Sequence, residues 1–204
     1  MPDMDRTFPE AFFLQPTVAV ARGLLGALLV RDLLDERLVG RIVETEAYLQ
    51  DDLACHAVRE LPGGETVHRR TARNASMFGP PGRAYVYFTY GNHYLLNVVT
   101  QPEGVPEAVL IRAVEPLEGV DIMFRLRGVG DLRALTSGPG KLTQALGIDK
   151  SLDGHNLSTP PLRLAQGTPV PDEQIVAAPR IGITRATDVL WRFYQAGNAW
   201  VSRK

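Results

Sequence analysis

The stretch LVGRIVETEAY, residues 38–48, is rich in β-branched and aromatic residues and contains no proline, the composition of a strand. An apolar run at 28–33 precedes it, with the polar DER (35–37) between them, so the two runs are predicted to be paired strands. Because side chains alternate along a strand, Ile42, Glu44, Glu46 and Tyr48 are expected on one face, with Val39, Arg41, Val43 and Thr45 on the other. Two carboxylates on one face are an odd choice for a core. Glutamates on a strand usually face water, and the alternation alone leaves both readings open.

Upstream, Pro16 is followed by TVAVARGLLGALL, apolar at helical spacing behind a proline suited to a first turn, which predicts a packed helix over 17–27. Residues 1–15 are expected to be a loosely ordered segment. Downstream, no periodicity persists from Leu49 to Met77, and this long loop exposes Arg69, Arg70 and Arg73. GPPG (79–82) ends it. RAYVYFTYGNHYLLNVVT (83–100) then reads as two strands around a tight turn near Tyr90, Gly91 and Asn92. A third strand follows at 108–116, then a helix from about Leu117 to Leu126. SGPGKLTQALGI (137–148) joins a glycine-rich turn to a short helix beginning near Lys141. The C-terminal third has short β-like runs and no linker composition. The expectation is one α/β (α+β) domain over 1–204, a curved, mostly antiparallel sheet flanked by helices, with the hairpin protruding.

The chain has 204 residues, 45% of them hydrophobic, and a formal net charge of −1, which neither favours nor excludes a polyanionic partner. The distribution says more: acids crowd residues 1–60, whereas the surroundings of Arg69, Arg70, Arg73 and Arg83 are nearly free of them. The single Cys55 excludes an intramolecular disulfide, and the histidines at 56, 68, 93 and 155 lack metal-ligand spacing. Neither a leader pattern nor an apolar run of membrane-spanning length is seen, so a cytoplasmic protein is expected.

Four features could carry chemistry. Glu44 and Glu46 with Tyr48 could place a general base under a flat ligand. Tyr85, Tyr87 and Tyr90 cluster on the hairpin; the first two read as strand packing, but an aromatic at the tip has no core to join and could enter a minor groove. Arg112, within the apolar AVLIRAV, needs a partner if it points inward, and Glu46 is the candidate. Lys141 after the SGPG turn could contact a phosphate or simply sit at a helix cap.

Taken in order, RIVETEAY (41–48), His56, TARNASMFGPPGRAYVYFTYG (71–91), the LLNVV run with Asn97, VLIRAVEPLEG (109–119) and SGPGKLTQALGI (137–148) resemble the alkyladenine (3-methyladenine) DNA glycosylases. The resemblance implies that Glu46 activates the water that attacks the sugar. It also implies that Arg112 and the Ile181 carbonyl help to hold that water. Tyr48 and Tyr87 would wall a flipped base, His56 would bond its edge, Asn97 would crowd undamaged guanine, and Tyr90 would fill the gap in the duplex. The partner implied is double-stranded DNA carrying damaged purines, contacted on its backbone by Arg69, Arg70, Arg73 and Lys141, with nucleoid association if the cell is bacterial. No metal, organic cofactor, membrane or obligate protein partner is implied. This chain departs from the family pattern in the insertion ELPGGETV (60–67) and in Asn92 and His93 after the hairpin glycine. Two other readings remain: a lesion-binding module without catalysis, and a lyase using Lys141.

Overall fold

Antiparallel pairing organises a computed structural model that describes residues 4–89 and 91–203. In chain order its elements are α1 (Glu10–Phe13), α2 (Thr17–Gly23), β1 (Leu28–Leu33), β2 (Glu36–Tyr48), β3 (Val58–Glu60), β4 (Thr66–His68), β5 (Ala84–Thr89), β6 (His93–Thr100), β7 (Glu107–Glu118), α3 (Val120–Arg127), α4 (Pro139–Ala145), β8 (Leu162–Ala165), β9 (Ile175–Ala178) and β10 (Arg192–Gln195). Short 3-10 turns lie between several of them, including Ala75–Phe78. Among the described residues the main sheet runs β5-β6-β7-β2-β1-β8, with β10 joining β2 and β9 joining β10, and every pairing is antiparallel.

This is the expected curved antiparallel sheet with helices, and the C-terminal third belongs to it. The predicted boundaries shift at several places. The helix forecast for 17–27 stops at Gly23, because the chain must turn at Gly26 to enter β1. Gly26 has φ +87°, and a Cβ there would lie 2.0 Å from the Thr168 carbonyl oxygen, so only glycine fits. The stretch 49–77, read as a loop, holds the small β3–β4 hairpin, a sheet of its own. The described part of the N-terminal segment, expected to be loose, is docked: Thr7 bridges to Ala165, and Phe13 is buried.

A further correction concerns β2. Its register against β7 shifts between Ile42 and Glu44 and again between Glu44 and Thr45. Val43 on one strand and Arg112 on the other are thereby left without an opposite residue. A bulge re-aims the side chains beyond it. Ile42 therefore joins the core on the α2 side with Ala47, Val109 and Ile111, while Glu44 and Glu46 face the other way. The expected shared face of Ile42 and the two glutamates holds only beyond the bulge.

The larger core lies between sheet and helices, with Leu24, Leu29, Leu96, Ile111, Met123 and Leu142 among its buried members. A second cluster, built on Cys55, Met77, Tyr85, Tyr87, Leu95 and Leu110, supports the cavity described next.

Candidate active site

A cavity of about 260 Å³ opens where β2, β5, β6 and β7 meet the 181–183 loop, and Tyr48, His56, Tyr87, Asn97, Arg112 and Ile181 all line it. These are the positions that the resemblance marks as pocket or catalytic, apart from Glu46, which does not line the cavity. Tyr90 lies outside the described residues. Thr89 and His93 face each other at the end of the β5–β6 ladder.

Glu46 stands one layer behind the cavity wall and is fully buried. Its carboxylate accepts from the Tyr48 hydroxyl at 2.9 Å and from the Ile181 backbone N–H at 2.7 Å. The Arg112 Nη1 lies 3.2 Å away. Each of these partners lines the cavity, so the carboxylate lies directly behind its wall. Ile181 thus touches Glu46 through its amide N–H, whereas the resemblance assigned a water-holding role to its carbonyl.

The reading that both glutamates face water is overturned: Glu44 is also fully buried. It accepts from Arg112 Nε at 3.1 Å and Arg192 Nη1 at 2.8 Å. Burial opposes the charge on Arg112, but Glu46 and then Glu44 outweigh it and raise the guanidinium pKa further. Arg112 has the expected partner in Glu46 and a second one in Glu44.

The aromatic side is anchored as firmly. Tyr85 and Tyr87 are buried as the packing reading expects, their ring centroids 5.2 Å apart. The His56 ring meets Tyr87 edge-on at 4.5 Å, and its Nδ1 lies 3.0 Å from the Tyr85 hydroxyl. Burial, helped by the Arg73 charge, lowers the His56 pKa to about 4, so its imidazole is neutral near pH 7. Burial, then the neighbouring Tyr87, pushes the Tyr85 hydroxyl well up. The Asn97 side-chain amide donates to the Tyr85 carbonyl at 3.1 Å, which fixes Asn97 against the cavity. Burial first, then the adjacent Glu46, raises the Tyr48 hydroxyl.

Several residues that hold this site give no local signal. Arg180 lies under Tyr48, 4.7 Å from the ring centroid, and its Nη2 donates to buried Asp52 at 2.9 Å. Asn74 is buried; its Nδ2 donates to the carbonyls of His56 and Arg69, and its Oδ1 accepts from the Thr71 N–H. Asp153 accepts from the Val86 N–H at 2.8 Å, and Lys150 donates to the Val86 carbonyl at 3.2 Å. This pair satisfies the open edge of β5 between the two pocket tyrosines. A chain-wide polar accounting, asking what each unpaired edge group bonds to, could have pointed to Asp153; nothing in the sequence near Asp52 or Asn74 names their partners.

Arg69, Arg70 and Arg73 are exposed beside the cavity. Arg70 lies over the Phe78 ring, 5.9 Å from its centroid, and Arg73 over the Tyr87 ring at 5.1 Å. Lys141, in the first turn of α4, donates to the Ser137 hydroxyl at 3.4 Å and stays apart from the cavity lining. Among the described residues no group of three or more His, Cys, Asp or Glu side chains is arranged to hold a metal ion, and no helix is long and apolar enough to cross a membrane.

The family model for methylpurine-DNA glycosylase (MPG) matches residues 11–199. A protein of Carboxydothermus hydrogenoformans is 50% identical over 197 residues, covering 96% of this chain and 98% of its own length. One from Salinibacter ruber is 52% identical over 198 residues, 95% of each chain. One from Methanoculleus marisnigri is 48% identical over 201 residues, 97% of this chain and 100% of its own. All three carry the name "Putative 3-methyladenine DNA glycosylase".

Proposed function

The chain belongs to the methylpurine-DNA glycosylase family, and from that premise we propose that it draws alkylated purines out of duplex DNA into the cavity and hydrolyses their N-glycosidic bond with a water activated by Glu46. The observation that carries the reading is the buried Glu46 carboxylate, ringed by Tyr48, Arg112 and the Ile181 amide directly behind a cavity walled by aromatics.

A base stacked inside a duplex cannot be attacked, so it is first extruded, at a cost of a few kcal/mol that is lowest for damaged or mispaired bases. Stacking on Tyr48 and Tyr87 offsets that cost by roughly 1–3 kcal/mol per base. Bond cleavage builds positive charge on the sugar, which the Glu46 carboxylate opposes while it takes a proton from the attacking water. Arg112 and the Ile181 backbone orient the same water.

Substrate choice follows from the rest of the lining. A purine alkylated at N3 or N7 is already cationic, stacks favourably on tyrosine faces and leaves without further protonation. A neutral His56 adds no repulsion to it, and also offers no ready proton to a neutral base. Cationic 3-methyladenine and 7-methylguanine are therefore the preferred substrates, ahead of hypoxanthine and ethenoadenine. Asn97, tied to the Tyr85 carbonyl, cannot swing aside, and so crowds the exocyclic amine of undamaged guanine. Tyr90 fills the space that the extruded base leaves.

The test uses end-labelled duplexes with one defined lesion each, incubated with wild type or Glu46→Gln and analysed with and without hot alkali. The expected result is strand breakage only after alkali, reduced about 100-fold or more by the substitution. Lesion binding with no alkali-labile product from the wild type would make the protein a non-catalytic lesion binder. Breakage without alkali would point to a lyase.

A further inference from the structure

We propose that Glu44 is a positioning residue for the catalytic pair, limiting Arg112 to a one-pronged contact with Glu46, and that Ser202 and Arg192 complete this second carboxylate site from the far end of the chain. The inference rests on the role given to Glu46 above and goes beyond it to a group that does not line the cavity.

The geometry is specific. Glu44 Oε1 accepts from Arg112 Nε, Arg192 Nη1 and the Ser202 hydroxyl, the last at 2.9 Å. Its Oε2 accepts from the Ser202 backbone N–H at 2.7 Å. Arg192 Nη1 also donates to the Arg203 carbonyl at 3.0 Å, so the chain segment after Val201 is fastened at two points. Arg112 in turn is held along one edge, with Nε on Glu44 and Nη2 3.4 Å from the Ser202 hydroxyl. Only Nη1 is left toward Glu46. The backbone sets up this division, since the paired bulges at Val43 and Arg112 bring the guanidinium level with Glu44.

The charges make the consequence clear. Arg112 pairs with both Glu44 and Glu46, and Arg192 pairs with Glu44, all four side chains nearly or wholly buried. Balanced in this way, Arg112 divides its donors between two carboxylates. Without the Glu44 charge, Glu46 would be the one carboxylate left to Arg112, and a guanidinium prefers a two-pronged grip on a single carboxylate. Arg112 would then close on both Glu46 oxygens and occupy the site where water has to bind. The reaction would slow while the face that meets DNA stayed as it was.

Three variants test this: Glu44→Gln, Ser202→Ala, which loses only the hydroxyl, and Ser202→Pro, which loses both hydroxyl and N–H. With a 3-methyladenine duplex, Glu44→Gln is expected to slow single-turnover excision by about tenfold or more, as small displacements of reacting groups do, while duplex affinity stays within about twofold. The serine variants should fall between Glu44→Gln and wild type, with Ser202→Pro the slower, and Ser202→Thr should restore the rate. Equal losses of rate and affinity would mean general damage and would overturn the proposal, as would wild-type rates in Glu44→Gln and Ser202→Pro. A readout independent of activity separates this from the glycosylase reading. In a nitrogen-15 spectrum the Arg112 Nε–H, assigned by its loss in Arg112→Lys, should exchange slowly in wild type and rapidly in Glu44→Gln. If that proton stays protected in the variant, Glu44 does not hold Arg112, whatever the enzyme cleaves.

Discussion

His56 illustrates how one side chain can link pocket chemistry to stability. Its folded pKa of about 4, set by burial and then by the Arg73 charge, compares with an ordinary value of 6.5. As pH falls through 6.5 the unfolded chain takes up a proton at this site, and the folded chain does so only near 4. Between those values the unfolded state binds more protons, so stability falls on acidification and this loss levels off below about pH 4. His56 is also partly open to solvent, and water screens part of this difference. Urea unfolding of wild type and His56→Gln at pH 7, 6, 5 and 4 should therefore show the wild type's advantage shrinking as the pH falls, with most of the change between pH 6 and 4. An advantage that stays constant with pH would show that His56 is not held neutral by its surroundings. The same neutrality fits a pocket for cationic bases, with Nδ1 engaged on the Tyr85 hydroxyl.

At the level of elements, the β2–β7 pair carries both Glu46 and Arg112, and its closeness depends on Gly40. A Cβ at Gly40 would lie 2.6 Å from Val114 Cγ2 and 2.9 Å from its Cβ, and neither atom can move without displacing β7. Gly40→Ala is expected to cost about 1–3 kcal/mol by overpacking. Val114→Ala placed in the same chain should recover part of that loss, which thermal melting of the two single variants and the double variant would reveal. Strict additivity would mean that the contact does not exist. This ladder also marks what the sequence could reveal. Strands β1, β2, β5, β6 and β7 were legible because their apolar residues run or alternate over six or more positions. The β3–β4 hairpin was not, since VRE and TVH are too short and polar to show a period. The bulge that moves Ile42 away from Glu44 was hidden because an alternation reading assumes an unbroken step of two. Burial of Glu44 escaped notice for a different reason: its partners Arg112, Arg192 and Ser202 lie 68, 148 and 158 residues along the chain. The pocket itself was legible chiefly through the resemblance, whose motifs mark the same positions that line the cavity.

On the scale of the whole molecule, a net charge of −1 gives no long-range pull toward DNA, so affinity has to come from a local basic face. The proposed one is made by the exposed Arg69, Arg70 and Arg73. Asn74 ties this segment to the His56 carbonyl, and phosphates bound there would be held in fixed register with the cavity. Each phosphate contact on B-form DNA contributes about −0.9 to the slope of log affinity against log salt. Changing both Arg69 and Arg70 to Ala is therefore expected to make that slope shallower by about 2, for lesion and undamaged duplex alike. Excision at saturating protein should keep its wild-type rate, because neither side chain lines the cavity. Arg73→Ala should behave differently, since its guanidinium also lies over the Tyr87 ring: its loss should change both the slope and the excision rate of a bound lesion. Binding titrations by fluorescence anisotropy across a salt series, paired with single-turnover excision, separate these effects. An unchanged slope in the double variant would place the phosphate contacts elsewhere on the surface, and a reduced excision rate in it would mean that the segment helps to shape the pocket as well as to dock the duplex.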